Sequence, residues 1–280
     1  MIATEGAGVG PSPERVNLGY ADTEAGQVHF RSAGDPGTAE TLVVLLHQTP
    51  LSSVHLAPLL PELVGPGVAA VAFDTPGYGG SPRPDTEWSI ERYAEVLWSA
   101  VDAIARPVEV LLVGRATGTV VAVAMARLRP ESVRRIALYG LPLYTDEERR
   151  ERLEGDFAAP FVPTLDGAHH VQLRERILGQ YPQLTAAELD VHLLEHLLTG
   201  GDFGSAYRAM WRYDLRANVA ALELPILLLG GTHDRVRPYF ERAVEHLPDA
   251  EHVELDGADD FLAERDPRRL AEVLRPFLGI

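Results

Sequence analysis

One stretch constrains the fold of this chain more than any other. Val108-Glu109-Val110-Leu111-Leu112-Val113 is an apolar, β-branched run of buried-strand length, and Val120 to Leu128 follows as a helix rich in Ala, Val and Met. The tight turn Gly114-Arg115-Ala116-Thr117-Gly118 lies between them. A buried strand passed so abruptly into a helix belongs to a parallel βαβ arrangement, and its turn falls at the carboxyl end of the sheet, where open α/β sheets bind ligands.

The rest of the chain repeats that alternation. Thr41 to Leu46 and Ala69 to Phe73 read as strands, a helix is expected at about Val54 to Leu63, and Val133 to Tyr139 is a further strand. Ile90 to Ile104 carries apolar residues at helical spacing behind Ser89 as a plausible N-cap. Right-handed crossovers are expected between the parallel strands. Upstream, Val16 to Tyr20 and Gln27 to Arg31 form a hairpin around Thr23-Glu24-Ala25-Gly26, whose Gly suits a positive φ. Residues up to about Pro13 are expected to be loosely attached. From Leu143 to Asn218 the pattern changes to charged amphipathic helices: Asp146 to Leu153, His169 to Leu178, Ala186 to Leu198 and Ser205 to Tyr213. Strands resume at Pro225 to Leu229 and His252 to Leu255, and a helix over Pro267 to Phe277 closes the chain. The division expected is a core in two parts, residues 1–142 and 219–280, with an inserted helical cap over 143–218.

Charge and composition remove several classes of function. A formal net charge of −16 argues against nucleic acid or an anionic membrane as partner, and a small, largely apolar substrate is the more natural expectation. The chain has no cysteine, which excludes disulfides, thiolate catalysis and Cys-ligated metals, and it has no lysine, which excludes Schiff-base chemistry. No apolar run reaches membrane-spanning length, and Met1 to Arg15 lacks the apolar stretch of a signal peptide, so a cytoplasmic location is expected. Neither metal nor cofactor is expected: His233 beside Asp234 has no second cluster at ligand spacing, and Gly77, Gly79 and Gly80 lack the helix of a phosphate-binding fingerprint. A monomer or homodimer is expected.

The strand, turn and helix around Ala116 resemble the nucleophile elbow of the α/β-hydrolase superfamily, G-x-S-x-G. Other motifs follow the same family in order. His47-Gln48 takes the His-Gly place after the first buried strand, and Asp74-Thr75-Pro76-Gly77-Tyr78-Gly79-Gly80-Ser81 resembles the D-x-P-G-x-G-x-S loop. Gly230 to Asp234 matches the strand end bearing the acidic triad member, Asp234, and Gly257 to Leu262 matches G-x-G-H-F-L. The resemblance implies an α/β-hydrolase fold, a mostly parallel sheet flanked by helices, with a helical cap roofing a pocket. It also exposes two departures: Ala116 stands where the family has Ser, and Asp260 where it has His. A single Ser-to-Ala replacement would leave the His in place, so the pattern reads as natural divergence.

Without that hydroxyl and imidazole, no acyl-enzyme forms by the Ser-His-Asp route. What the resemblance leaves is a pair of main-chain donors, the N–H groups of Gln48 and Thr117, able to bind the oxygen of a ketone, quinone or lactone. Asp260 and Asp234 are expected to face each other, one titrating high and serving as general acid or base. Alternatively Asp260 caps the following turn or pairs with a nearby Arg; Arg115 is that partner or is solvated. The remaining candidates to touch substrate are His47, Ala116, Tyr78, Phe261, His170 (or His169) on the cap, and Tyr207 and Trp211, which with Tyr213 offer an aromatic wall. Thr117 also brings a hydroxyl. The reading is a non-hydrolytic enzyme forming a C–C bond, adding or cyclising a carbonyl-bearing aromatic or polyketide-like molecule, as in bacterial specialised metabolism. The alternatives are an atypical ester, lactone or epoxide hydrolase and a small-molecule-binding protein without turnover.

Overall fold

A computed structural model describes residues 15–280, and the expectation for the first thirteen residues lies outside them. Eight strands make one sheet: β1 (Asn17–Thr23), β2 (Gly26–Ala33), β3 (Thr41–Leu46), β4 (Val68–Phe73), β5 (Glu109–Arg115), β6 (Val133–Tyr139), β7 (Ile226–Gly231) and β8 (Glu251–Leu255). Their order is β1-β2-β4-β3-β5-β6-β7-β8; β1 and β2 are antiparallel, β2 meets β4 antiparallel, and all later pairs are parallel. The chain therefore steps from β3 outward to β4 and returns to the other side of β3 as β5. This reversal opens a crevice beyond the carboxyl ends of β3 and β5.

The helices are α1 (Ile90–Ile104), α2 (Thr117–Leu128), α3 (Asp146–Glu154), α4 (Ala168–Gln180), α5 (Ala186–Leu198), α6 (Ser205–Arg212), α7 (Leu215–Ala220), α8 (Arg237–His246), α9 (Leu262–Arg265) and α10 (Pro267–Leu278). Strand side chains alternate between two cores. Leu42, Val44 and Leu46 pack with α1, α2 and α8, whereas Val43 and Leu45 pack with α10 and the segment Ser53–Leu63. A sheet covered on both faces explains why β3 and β5 read as continuous apolar runs rather than as alternating ones.

Ser53–Leu63 forms 3-10 turns where the sequence suggests an ordinary helix. Pro58 and Pro61 lie inside it, and neither can donate an i→i−4 hydrogen bond. Ser89 does cap α1, accepting from the Arg92 N–H at 3.3 Å. Helix α8 escapes the sequence reading, although Pro238 in its first turn and the buried pair Phe240 and Ala243 mark it.

Helices α3 to α7 lie between β6 and β7. Thr145 with Glu148 and Thr185 with Glu188 form reciprocal capping boxes that start α3 and α5. Tyr78 ties this layer to the sheet: its hydroxyl accepts from the Ala206 N–H at 3.0 Å and donates to the Phe203 carbonyl at 3.1 Å. No helix is long and apolar enough to cross a membrane among the described residues.

Candidate active site

The turn after β5 is the most strained point of the described backbone. Ala116 has φ 45° and ψ −113°, and it is the only non-glycine residue described with positive φ. The flanking glycines make this geometry possible. A Cβ on Gly118 would lie 2.1 Å from the Leu46 carbonyl oxygen, and one on Gly114 would lie 2.5 Å from the Thr119 Cα. The corner is held by the Ala116 N–H donating to the Tyr139 carbonyl at 2.9 Å and by Thr119, whose Oγ1 donates to the Ala116 carbonyl at 2.6 Å.

Thr117 opens α2, so its N–H has no acceptor within the helix. The Gln48 N–H, just beyond β3, makes no hydrogen bond among the described residues either. Both residues line a cavity of ≈ 40 Å³ together with Ala116 and Asp260. Its roof and walls are Tyr144, Phe157, Tyr181, Tyr207, Met210 and Arg235. A volume of this size holds a few waters, so a ring-sized molecule enters only when the roof moves.

Beside this cavity lies a buried ion cluster. Arg115 Nη2 is 2.9 Å from Asp234 Oδ2 and 3.2 Å from Asp260 Oδ1, with Asp260 Oδ2 also accepting from the Arg235 N–H at 3.2 Å. The residues are 6%, 5% and 6% exposed, which leaves water little part in screening them. Burial, with Asp260 close by, pushes the Asp234 carboxyl above its ordinary range, against the pull of Arg115. Burial acts against the Arg115 charge, but Asp234, Tyr139 and Asp260 hold its guanidinium above its usual value. The two carboxyls thus share a cation rather than simply a proton. Arg115 stacks on the Tyr139 ring at 4.5 Å, and Gly140 makes room for it, since a Cβ there would lie 2.1 Å from Nη1.

The other sequence candidates separate. Tyr207 lines the cavity and donates its hydroxyl to the Thr49 carbonyl. Trp211 stands behind it, stacked on Tyr207 at 5.7 Å, and so supports the wall without forming it. His47 has both ring nitrogens engaged, Nδ1 donating to the Gln48 carbonyl at 3.0 Å and Nε2 accepting from the Thr75 N–H at 2.9 Å. It faces a second cavity of ≈ 30 Å³ behind the first, and burial lowers its pKa. Tyr78 is spent on the cap contact, Phe261 packs against Tyr181 at 5.1 Å, and His170 is exposed on α4. These four do not line the cavity at Ala116, because each is committed to packing, to hydrogen bonds or to solvent. Asp234 lies behind Arg115 rather than in the wall.

Sequence reasoning missed Tyr144, Phe157, Tyr181, Met210 and Arg235, which reach the cavity from the cap and from the turn after β7. It also missed a polar chain next to the rear cavity. His55 Nε2 lies 2.6 Å from Glu195 and its Nδ1 2.6 Å from Glu264, and Ser52 Oγ donates to Glu195. These residues are 140 and 209 positions from His55, and no local pattern announces such a meeting.

Comparison with known proteins agrees with this architecture. The sequence pattern of the alpha/beta hydrolase family matches residues 43–273. A non-heme chloroperoxidase from Streptomyces lividans is 25% identical over 260 residues, covering 84% of this chain and 89% of that protein. Among solved structures, an epoxide hydrolase from Vigna radiata superposes with a TM-score of 0.74 at 18% identity, covering 96% of this chain and 99% of that one. An enol-lactonase from Burkholderia xenovorans does so with a TM-score of 0.69 at 21% identity, covering 94% and 100%. At such identities these structures share the fold.

Proposed function

The chain belongs to the alpha/beta hydrolase family, and on that premise we propose that it is an enzyme that polarises a carbonyl without making an acyl-enzyme. The substrate's carbonyl oxygen accepts from the Gln48 and Thr117 N–H groups. Asp260, the carboxyl in the cavity wall, moves the proton of the adjacent carbon. An enolate stabilised in this way suits addition, cyclisation or C–C bond formation on an aromatic or polyketide-like compound.

The observation that carries this reading is Ala116. A non-glycine residue in such a conformation costs ~1–3 kcal/mol. Here the strained corner bears no nucleophile, yet it leaves the Thr117 amide free beside that of Gln48. Two preorganised donors in a dry site are a large catalytic contribution, since losing one costs ~10²–10³ in rate in other enzymes.

A second reading has support from the family and from Asp260 itself: that carboxyl activates water directly against an ester, lactone or epoxide. One experiment separates the two. A β-keto ester is incubated with the protein in D₂O or in H₂¹⁸O. Protein-dependent exchange of the α-hydrogens with the ester intact is the expected result. Ester loss with ¹⁸O in the acid product, without prior exchange, overturns it in favour of hydrolysis.

A further inference from the structure

The charge around the cavity runs opposite to that of the molecule. The chain has 41 acidic residues against 25 basic ones. Arg235 and Asp260 line this cavity, and Arg115, Arg152 and Arg176 lie beside it. Arg115 is consumed by the two aspartates. Arg235 shares Asp260 with it, and Arg152 and Arg176 have no ion pair among the described residues.

Arg235 lines the cavity with its guanidinium over the Tyr181 ring at 4.4 Å. Its nearest carboxylate oxygen is on Asp260, 3.5 Å from Nε and already shared with Arg115, and its Nη1 is 3.3 Å from Gln180 Oε1. Arg152 lies over Tyr144 at 4.4 Å and over Phe157 at 5.5 Å, both of them cavity residues, and its one polar partner is the Tyr239 hydroxyl at 3.0 Å. Arg176, half-buried on α4, lies over Phe203 at 4.5 Å and Phe157 at 5.9 Å. It makes no ion pair or hydrogen bond among the described residues, and burial pulls it below the usual arginine value with no carboxylate to offset the effect.

Elsewhere acid is abundant enough to pair arginines even on the surface, as Arg92, Arg129, Arg134 and Arg242 each show. Other arginines also lack a carboxylate, but Arg31, Arg83, Arg127, Arg135 and Arg275 each donate to a hydroxyl or main-chain oxygen, whereas half-buried Arg176 has no such partner among the described residues. Aromatic faces hold these guanidinium groups without neutralising their charge. A planar guanidinium lying on a ring also keeps its N–H edge available to a carboxylate.

We infer that the substrate is an organic acid, a keto acid whose carbonyl lies at Gln48 and Thr117 and whose carboxylate is taken up by Arg235, with Arg176 and Arg152 supplying the surrounding positive field. The inference rests on the reading of the cavity as a carbonyl site and narrows its substrate class. It also departs from the apolar, uncharged substrate that the net charge alone suggests.

The probes are benzoylformate, its methyl ester, which keeps the ketone but loses the charge, and phenyl phosphate. Affinities are measured by calorimetry on the full chain at low and at physiological salt. Benzoylformate is expected to bind at least tenfold more tightly than the ester, with the preference shrinking as salt rises. Arg235→Gln and, separately, Arg176→Gln are expected to cut that preference severalfold, the Arg176 variant while leaving the ester's affinity within twofold. Arg176 is outside the cavity wall, so its variant keeps the test open if Arg235→Gln folds poorly. Equal binding of acid and ester, or a preference that both variants leave intact, overturns the inference while the carbonyl site stands. Tighter binding of phenyl phosphate than of benzoylformate overturns the carboxylate assignment. Failure of all three to bind overturns both the inference and the reading of the cavity.

Discussion

Replacing Arg115 by Met tests the electrostatic arrangement at the heart of the site. The guanidinium touches Asp234 at 2.9 Å and Asp260 at 3.2 Å, and all three side chains are almost wholly buried. At an effective dielectric constant of ~20, unit charges ~4 Å apart attract by ~4 kcal/mol. Desolvation offsets much of that in the intact cluster, but removing one partner leaves the other charge uncompensated, which costs ~3–5 kcal/mol. For a chain of this size that loss corresponds to roughly 5–9 °C in melting temperature. The penalty must also depend on pH. Burial already raises the Asp234 carboxyl, and without Arg115 it rises further. A carboxyl whose folded-state pKa exceeds its unfolded value binds more protons when folded, so the variant regains stability as pH falls. Urea unfolding of both proteins at pH 8 and pH 5.5 reads this directly: the gap is expected to be ~3–5 kcal/mol at pH 8 and to close by half or more at pH 5.5. Adding Asp260→Asn is expected to recover part of the loss at pH 8. A cost below ~1 kcal/mol, or a gap that does not change with pH, would show that Arg115 does not hold two carboxyls.

Ala116→Gly is expected to raise the melting temperature, because relief of ~1–3 kcal/mol of backbone strain exceeds the ~0.5–1 kcal/mol entropic disadvantage of glycine; calorimetric scans showing a lower value would mean that Ala116 is unstrained. His55 gives the protein a loss of stability toward alkaline pH. Burial alone would lower its pKa, but Glu195 and Glu264 outweigh burial and raise it from 6.5 to about 10. Its contribution, on the order of 5 kcal/mol at most, is therefore complete below pH 6.5 and lost as pH rises through about 10. Chemical unfolding between pH 6.5 and 10 should show this slope in the parent and a flatter one in His55→Gln, and equal slopes would exclude the cluster as its source.

How much of this was legible in the sequence depends on the range of the physics involved. The elbow is local: Gly114 and Gly118 are four positions apart because main-chain atoms of Thr119 and Leu46 leave no space for a Cβ, and that constraint can be read from a few residues. The parallel sheet is legible for a similar reason, since strands covered on both faces must be apolar throughout. The cavity's walls are not. Tyr144, Phe157, Tyr181 and Arg235 acquire their positions from how the cap seats on the sheet, and nothing in their immediate neighbours distinguishes them from other surface or core residues. His170 and Trp211 illustrate the opposite error, in which residue type suggests a site that packing does not supply.

Arg115 stands between these cases. Asp260 adds a second buried acid beside Asp234, and such a pair cannot remain uncompensated at little cost. The compensating cation comes from the residue preceding the strained corner, at the end of β5, and its guanidinium reaches both acids. Its side chain passes through space that exists because position 140 is glycine, as the 2.1 Å approach of a hypothetical Cβ to Nη1 requires. Positions 115, 140, 234 and 260 therefore act as one electrostatic unit, one at the end of β5 and the others in the segments that follow β6, β7 and β8. The sequence displays each member separately, and only the fold brings the charges into balance. That balance is what permits the Asp260 carboxyl to face the space above Ala116.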